Sequence, residues 1–495
     1  MTNISPETFD QNARSALQDV QLHGALQNLA ATFSERRNIA KQSVEDWEGL
    51  REHARQIKEE TLEHLDKYLE QFVEMAEKAG TKIHWAQDGK DACEIILTLI
   101  DERNATNVVK SKSMATEEIH LNRVLEGKGI YPVETDLGEW IIQLANETPS
   151  HIVVPAIHKS KGQIAELFAE KVGMERTSDV GKLTSTAREF LRARFAEAEV
   201  GISGVNFGVA ETGTILILEN EGNIRLTTSL PKIHIALMGI EKLIPRFADL
   251  DVFLKLLPRS GTGQKLTTYQ SLITGTKRRH TDEGPNEVHI ILMDNGRSRM
   301  LAHPVTRQSL ACIRCGACLN ACPVYQQIGG HAYGSVYPGP IGAVITPQLI
   351  GLSRAKELPY ASSLCGACRE VCPVKIDIPE LLLHLRAEIV DGEANGAAAE
   401  TRVKKKFAER IAFAAYGYAW RHPWIYRLGI KTARQFQRPY VNEGRIRRLT
   451  GLAARIASPV IAWTNDRDAP PVAPRTFREI WKSEQTDRRT STSDD

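Results

Sequence analysis

Seven of the eight cysteines lie in two short runs with the spacing of iron-sulfur ligands. The runs are Cys312-x-x-Cys315-x-x-Cys318-x-x-x-Cys322-Pro323 and Cys365-x-x-Cys368-x-x-x-Cys372-Pro373. Three cysteines at three-residue steps let one loop hold three corners of a cubane cluster, while the cysteine before proline ligates the other cluster of a pair. The repeat therefore predicts two iron-sulfur clusters and an electron-transfer function.

This exchange of fourth ligands divides the seven thiolates unequally. We predict Cys312, Cys315, Cys318 and Cys372 as ligands of cluster 1, and Cys322, Cys365 and Cys368 as ligands of cluster 2. Ser362 stands where the repeat requires an eighth cysteine, and its oxygen is a harder ligand than a thiolate. Cluster 2 could therefore be a [3Fe-4S] cluster, a [4Fe-4S] cluster completed by Ser362, water or another residue, or a [4Fe-4S] cluster with an open iron.

Disulfide and zinc interpretations of these cysteines are weaker. Disulfide frameworks suit small exported chains, whereas this chain has 495 residues and begins Met1-Thr2-Asn3-Ile4 without a basic and apolar leader. Zinc normally takes paired cysteines and not a triplet followed by Cys-Pro. Cys93 lies alone in an apolar stretch, where a free cysteine is expected to act as a small buried hydrophobe.

Composition and charge indicate a soluble globular protein of two to four domains. Hydrophobic residues make up 42% of the chain and charged residues 25%. No apolar run reaches the roughly eighteen residues of a membrane span, and reduced cysteines favour the cytoplasm, with any membrane contact peripheral at its inner face. The formal net charge of +2 gives no global reason to expect nucleic acid as a partner.

The elements that would position the cysteines begin with residues 1–80, where apolar residues recur at three- and four-residue steps and predict helices. Short β-like runs then alternate with helical ones, which predicts a mainly parallel α/β sheet over residues 81–300. The predicted strands are 81–85, 107–110, 151–155, 214–218, 232–237 and 287–293.

The cysteine runs occupy a third predicted segment, residues 301–395. Between them, residues 329–342 are rich in glycine and proline and predict an ordered loop, whereas 346–356 and 378–390 have helical spacing. This pattern predicts a two-cluster α-helical ferredoxin domain.

A helical, basic region at residues 396–495 completes the predicted organisation. Its basic residues are Arg402, Lys404, Lys405, Lys406, Arg410, Arg421, Arg427, Lys431, Arg434, Arg438, Arg445, Arg447 and Arg448. Interleaved with them are Phe407, Phe413, Tyr416, Tyr418, Trp420, Trp424 and Tyr426. The pattern is compatible with a membrane-surface helix, a docking face for an acidic partner, a nucleic-acid patch or an ordinary solvated face.

Several segments resemble the lactate utilization domain family, in particular its iron-sulfur cluster-binding members. They are residues 109–118, 134–139, 211–214, both cysteine runs, 329–342 and 475–482. The resemblance implies a parallel sheet domain like that of CoA transferases and sugar-phosphate isomerases, two [4Fe-4S] clusters and a family-specific C-terminal region. It also implies cytoplasmic oxidation of L-lactate to pyruvate beside companion lactate-utilization subunits, with electrons passed toward the respiratory chain and a quinone-linked acceptor.

A second hypothesis makes the α/β domain itself a catalytic subunit that acts on a small carboxylate or phosphorylated substrate, with the clusters as electron outlet. Its candidate residues follow predicted strands and are Lys110, Ser111, Lys112, Ser113, Glu211 and Thr212. The sequence offers no nucleophile and base pair and no phosphate-binding glycine fingerprint, so no catalytic residue is predicted. We expect His158, His234 and His289 to be packing or surface histidines.

Overall fold

The computed structural model describes residues 5–277, 279, 282–392, 407–446 and 468–491. They fall into two units, Met1–Val403 and Lys404–Asp495. The predicted boundaries at residues 80, 300 and 395 stay a prediction. The basic residues that lie outside the described part of the chain are Arg402, Lys404, Lys405, Lys406, Arg447 and Arg448.

The helical N-terminal prediction is confirmed. In the described residues the helices before the first strand are α1 (Phe9–Ala16), α2 (Val20–Gln42), α3 (Trp47–Glu63) and α4 (Leu65–Lys78). Asp19 and Asp46 begin α2 and α3, and the side chain of each accepts a hydrogen bond from a first-turn N–H.

A parallel sheet follows these helices. Its strands among the described residues are β1 (Lys82–Ala86), β2 (Val108–Lys110), β3 (Val133–Glu134), β4 (Val200–Gly204), β7 (Ile233–Gly239) and β10 (Glu287–Met293). The spatial order is β1-β10-β7-β4-β2-β3, with every neighbouring pair parallel. The central strands read as continuous apolar runs because helices cover both faces. The mainly parallel α/β sheet predicted from the sequence is confirmed.

Helices connect and cover these strands. They are α5 (Gly89–Asp101), α6 (Met114–Glu118), α7 (Leu121–Glu126), α8 (Leu137–Ala145), α9 (Lys161–Val172), α10 (Val180–Glu197), α11 (Asn223–Ser229), α12 (Leu250–Gly261) and α13 (Arg297–Ala302).

A smaller mixed sheet packs beside the first and was not predicted. Its strands are β5 (Phe207–Val209), β6 (Thr214–Glu219), β8 (Leu243–Ile244) and β9 (Tyr269–Ile273). The order is β8-β5-β6-β9, and β6 is antiparallel to both of its neighbours. The predicted strand at 214–218 therefore exists, but it belongs to this second sheet.

The predicted strand at 151–155 is wrong. The chain bends there because the ring nitrogen Nδ1 of His151 accepts hydrogen bonds from the N–H groups of Val153 (2.9 Å) and Val154 (3.2 Å). A side chain that binds its own backbone in this way competes with strand pairing. The apolar residues of the segment face the cysteine loops instead.

The cysteine segment is carried on short helices, as predicted. They are α14 (Ala317–Ala321), α15 (Tyr325–Ile328), α16 (Gly339–Ile350), α17 (Ala367–Val371) and α18 (Ile378–Asp391). Helix α16 begins before the predicted 346–356, because Pro340 is tolerated in a first helical turn, and it ends earlier because Gly351 has a φ of +99° that a helix cannot continue through. One hydrophobic core joins this segment to Trp47 of α3 and Phe253 of α12, so it packs as part of the first unit.

The second unit contains α19 (Phe407–Arg421), α20 (Pro423–Gln437), the hairpin β11 (Val441–Asn442) and β12 (Arg445–Ile446), and α21 (Phe477–Ser491). The helical prediction for this region is confirmed in these residues. No helix in the described part of the chain is both long and apolar enough to cross a membrane.

Candidate iron-sulfur centres and the adjoining cavity

Four thiols from the two cysteine runs surround one small, mostly apolar cavity. They belong to Cys312, Cys315, Cys318 and Cys372. Cys372 comes from the second run and the other three from the first, which is the grouping that the exchange of fourth ligands predicts for cluster 1. Tertiary packing has thus brought together residues that lie more than fifty positions apart in the sequence.

The other three cysteines form a second group. The pKa of the Cys368 thiol is raised to about 12, first by burial and then by the charge of Cys322. Cys365 is exposed, and its pKa is lowered chiefly by a hydrogen bond from the N–H of Ala367. This group, which matches the prediction for cluster 2, therefore reaches the protein surface.

The two cysteine loops repeat the same backbone conformation. Arg314 and Gly316 of the first loop have φ of +60° and +78°, and Leu364 and Gly366 of the second have +55° and +86°. The left-handed residues flank Cys315 in the first loop and Cys365 in the second, and a short helix follows in each. Non-glycine residues rarely adopt this conformation, so its recurrence at Arg314 and Leu364 reflects the same cradle built twice.

Ser362 occupies the position in the second loop that Cys312 occupies in the first. The N–H of Arg314 donates to Cys312 Sγ at 3.4 Å, and the N–H of Leu364 donates to Ser362 Oγ at 3.1 Å. The serine hydroxyl is thus held by the equivalent backbone donor two residues along the chain.

The first group fits a cluster because four sulfur atoms surround one small cavity, although ionising them there requires a compensating positive charge. Burial raises the pKa of Cys315 to about 12 and that of Cys372 to about 11, and it raises the pKa of Cys318 well above its usual value. Iron binds the thiolate, so positive metal charge would offset the cost of ionising these buried groups. The N–H of Ile376 also donates to Cys372 Sγ at 3.3 Å, as expected around cluster sulfur.

Buried cations lie close to the first group. Arg51 of α3 donates two hydrogen bonds, at 2.7 and 3.0 Å, to the carbonyl oxygen of Cys372. Burial lowers the pKa of Lys58 to about 7 and of Lys242 to about 8, and the charge of Glu241 is the largest cause that opposes the shift in both. Positive charge near a cluster favours its reduced state. Arg369, by contrast, pairs with Asp377 at 2.9 Å and is largely exposed.

A cavity of about 650 Å³ adjoins the first group at the carboxyl edge of the parallel sheet. Residues that follow β2, β4, β7 and β10 line it, and Arg314 and Cys315 of the first loop lie on its wall. Arg314 lines the thiol cavity as well. Its guanidinium stacks on the Tyr337 ring at 4.4 Å, and its Nη2 lies 3.7 Å from Glu241 Oε1.

Two of the residues predicted for a substrate site, Lys112 and Ser113, line this cavity. Lys110 instead forms a buried ion pair with Glu134 at 2.7 Å, and Glu211 accepts a hydrogen bond from the N–H of Phe247 at 2.8 Å. Ser111 is buried with its hydroxyl 3.4 Å from the carbonyl oxygen of Ile202.

The sequence analysis missed the cavity residues Glu241, Lys242 and Arg297. Their positions in the sequence could have indicated them, since Glu241 and Lys242 come just after predicted strand 232–237 and Arg297 just after strand 287–293. Polar residues at the carboxyl ends of parallel strands meet at one edge of the sheet.

The histidines singled out from the sequence have internal partners. His158 bonds Ser150 and Glu147, His234 bonds Ser203, and His289 bonds His84. Cys93 is buried with its pKa raised to about 11 by burial, and it donates to the carbonyl oxygen of Ile119. These contacts are structural.

A further group of metal-binding residue types consists of His303, His384 and Glu388. Nδ1 of His303 accepts hydrogen bonds from the N–H groups of Val305 and Thr306 at 3.2 and 3.1 Å. A neutral ring that accepts at Nδ1 carries its proton on Nε2, the atom that points at the other two residues. The geometry therefore favours a hydrogen-bonded group over a metal site.

Three family models match successive parts of the chain. A LUD domain model matches residues 69–293, a 4Fe-4S dicluster domain model matches 308–376, and a model described as lactate utilisation protein B, C-terminal, matches 384–486. The chain is therefore of the class that joins a LUD α/β domain to a 4Fe-4S dicluster domain.

Similar proteins identify the family within that class. Lactate utilization protein B of Bacillus cytotoxicus is 43% identical over 97% of this chain and 98% of its own length. The protein of the same name from Macrococcus caseolyticus is 42% identical over 96% and 97%. The chain belongs to the lactate utilization protein B family.

Among solved structures, a DUF162 family protein from Deinococcus radiodurans matches 46% of this chain and 98% of its own, with 11% identity and a TM-score of 0.27. A similarity this low does not support a conclusion about fold or function.

Proposed function

We propose that this protein carries electrons in the oxidation of L-lactate to pyruvate, through two iron-sulfur clusters and beside companion subunits. The observation that carries the proposal is the convergence of four thiols from two separate runs on one cavity. The lactate part rests on the names of the relatives. The electrons would then pass toward the respiratory chain, with a quinone-linked acceptor.

The cysteine ligands are proposed as the two groups described above, with Cys312, Cys315, Cys318 and Cys372 on cluster 1 and Cys322, Cys365 and Cys368 on cluster 2. When bound, each cluster supplies one-electron transfer. The chain's own residues hold the thiolates, exclude water from cluster 1 through apolar neighbours such as Ile313 and Ile341, and place cations beside it. No acid or base is needed for that task.

For cluster 2 we propose a [4Fe-4S] cluster with Ser362 as the fourth ligand. The hydroxyl is held by the same kind of backbone donor as the Cys312 thiol, and the two loops share their left-handed residues. This repetition favours Ser362 over an open iron, a water ligand or a [3Fe-4S] cluster.

Cluster 2 is better placed than cluster 1 to exchange electrons with a partner protein. Its ligand Cys365 is exposed, whereas Cys318 and Cys372 of cluster 1 are buried and Cys315 is partly buried. Electron transfer requires short distances between cofactors, so a companion subunit would dock over the second loop. Arg369, which is 65% exposed, would then belong to the docking face.

For the second unit we propose peripheral contact with an anionic membrane surface. The described aromatic residues of α19 and α20 are largely exposed, among them Phe413, Trp420 and Trp424. Basic residues stand between them, including Arg421, Arg427 and Lys431. Aromatic and basic side chains together suit the headgroup region of an anionic bilayer.

Iron and sulfide quantitation with low-temperature EPR, on protein purified without oxygen, tests the electron-carrier proposal. We expect about eight iron atoms per chain for two [4Fe-4S] clusters and two reduced signals after dithionite. Cys368→Ser should remove one signal and abolish lactate-dependent electron flow in the assembled system, while Cys93→Ser, the matched control, should change neither. Little iron in the native protein, or full lactate oxidation with a cluster-free variant, would overturn the proposal.

A further inference from the structure

The cavity at the sheet edge is placed where α/β proteins bind ligands. Such sites lie at the carboxyl ends of parallel strands and commonly have volumes of roughly 300 to 1,000 Å³, and this cavity has about 650 Å³. Apolar residues such as Ile141, Leu218 and Leu257 form much of its wall. Because Cys315 also lines it, a molecule bound there would lie beside the cluster 1 site.

The cationic side chains that line this cavity differ in whether carboxylates neutralise their charge. Arg297 is saturated, since it binds both carboxylate oxygens of Glu118 at 2.9 Å and Glu241 Oε2 at 2.6 Å. Lys112 donates to the carbonyl oxygen of Val153 at 3.0 Å. Within the described residues, neither Lys112 nor Lys242 has a carboxylate at ion-pair distance. Two lysines therefore retain capacity to bind an anion.

Arg314 connects the cavity to the cluster site. Its side chain is only 10% exposed and lines both spaces. Among the described residues its Nη1 is buried without a hydrogen-bond partner. A buried donor of this kind is costly unless an acceptor is supplied, so the structure calls for an anionic group or cluster sulfur next to Arg314.

The lysines approach from strands on either side of β4. Lys112 follows β2 and Lys242 follows β7, and β4 lies between them and ends at Gly204, which also lines the cavity. Adjacent strands are about 4.8 Å apart, so the two chain segments are separated by roughly 10 Å. Flexible lysine side chains can close on one small anion across such a gap.

We propose that this cavity binds an organic carboxylate of the 2-hydroxy or 2-oxo acid class, held by Lys112 and Lys242, with Arg314 between the ligand and cluster 1. The choice of acid class rests on the proposed function. The α/β domain would thereby place the acid beside the buried cluster, while cluster 2 faces the partner.

Calorimetric titration of the anaerobic, cluster-loaded full chain tests the proposal. The probes are L-lactate, pyruvate, the uncharged analogue lactamide and inorganic phosphate. We expect at least one of the two acids to bind, and lactamide to bind at least about tenfold more weakly because it lacks the charge. Lys112→Met and Lys242→Met should each weaken acid binding about tenfold or more, whereas Lys112→Arg should retain it.

Lys82→Met is the matched control, because Lys82 lies at the opposite, amino-terminal edge of the same sheet and is paired with Glu287 at 2.6 Å. It should leave binding unchanged. A second readout is the EPR spectrum of cluster 1, which bound acid should perturb while the cluster 2 spectrum stays the same. Iron content close to that of the native protein shows that each variant has folded.

Three results would overturn the proposal: no binding of either acid to the native chain, equal binding of lactamide, or tighter binding of phosphate than of both acids. These results are separable from failure of the proposed function. If neither acid binds but Cys368→Ser still abolishes lactate-dependent electron flow, the carrier function stands and the cavity assignment falls. If acid binds but a cluster-free variant oxidises lactate normally, the cavity assignment stands and the carrier function falls.

Discussion

At the scale of single residues, the spatial grouping of the thiols indicates which cluster each cysteine is expected to ligate. Cys322 and Cys372 are the last cysteines of their own runs, yet Cys372 lies with the thiols of the first run around one cavity. We therefore expect the cysteine before proline in each run to ligate the cluster of the other loop, and this expectation has consequences for each variant.

The first prediction concerns this exchange of ligands. Cys312→Ser and Cys372→Ser should lose the same EPR signal, that of cluster 1, while Cys322→Ser and Cys368→Ser should both lose the other. The reason is that each pair contributes thiolates to one cluster although its members come from different runs. Low-temperature EPR of the four reduced variants makes the comparison. If Cys322→Ser and Cys312→Ser lost the same EPR signal, each run would supply all the cysteine ligands of its own cluster and the prediction would be wrong.

The second prediction concerns Ser362. Ser362→Ala should convert cluster 2 to a [3Fe-4S] form or leave one iron exchangeable, and Ser362→Cys should give a [4Fe-4S] cluster with four thiolates. Mössbauer spectra of iron-57-labelled protein distinguish these states. Ser363→Ala is the matched control for the number of irons and should keep all four, because the Ser363 hydroxyl contacts Cys365 but does not occupy the place equivalent to Cys312. If Ser362→Ala has the native spectrum, Ser362 is not a ligand.

At the scale of elements, β2 holds the edge of the parallel sheet through a buried ion pair. The side chains of Lys110 and Glu134 are 1% and 3% exposed, and their charged atoms lie 2.7 Å apart across β2 and β3. Lys110 also binds Glu117 of α6 at 2.9 Å, so it joins both strands to the helix that follows. Lys112, two residues further on, is positioned by this arrangement.

The third prediction is that Lys110→Met destabilises the fold by about 3 to 5 kcal/mol, because Glu134 is left buried without its cation. The pKa of Glu134 is already raised, with burial as the main cause. Lys110 opposes that shift, so its removal raises the pKa of Glu134 further, and the folded variant takes up a proton that the unfolded form releases. The stability of the variant therefore falls as pH rises above the unfolded pKa. The loss of stability caused by Lys110→Met should therefore be smaller at pH 5 than at pH 8.

Chemical denaturation of the anaerobic protein at the two pH values measures this effect. Lys82→Met is again the control, since Lys82 is 56% exposed and an exposed pair contributes only about 0 to 1 kcal/mol. A loss of stability for Lys110→Met no greater than for Lys82→Met would show that the buried pair does not hold the sheet edge.

At the scale of the whole molecule, the two units suit different tasks. The first contains the sheet, the cysteine groups and the cavity, joined by shared hydrophobic cores. The second exposes large aromatic side chains that a solvated unit would normally cover. Electron transfer to a membrane-bound acceptor would be helped by a unit that holds the protein at the bilayer.

The fourth prediction follows from that arrangement. Trp420→Ala combined with Trp424→Ala should reduce sedimentation with vesicles of anionic phospholipid several-fold, because indole rings anchor in the headgroup region. Raised salt should weaken binding of the native protein by screening the basic residues. Trp85→Ala is the control, since Trp85 is as exposed as Trp420, at 56%, but lies in the first unit. Equal sedimentation of all three proteins would count against membrane contact.

The sequence by itself indicated iron-sulfur clusters and most of the secondary structure. Cysteine spacing is a local property of one loop, so it could be read without the fold, and apolar periodicity likewise predicted helices over residues 1–80 and the central strands. It could not show that β6 belongs to a second sheet, since that depends on its pairing with β9, which is distant in the chain. Nor could it show that His151 turns a β-like run into a bend, because the ring that accepts from Val153 and Val154 is also in contact with Asn320, far along the chain.

Only the tertiary structure decided what lies beside the thiols of Cys312, Cys315, Cys318 and Cys372. Arg314, Lys112 and Lys242 come from three separate stretches of chain, and nothing in their local pattern indicates that they share a cavity. They meet because parallel strands end at one edge of the sheet, and because the first cysteine loop packs over that edge. The equivalence of Ser362 and Cys312 was suggested by spacing, and their matching backbone hydrogen bonds required three-dimensional geometry.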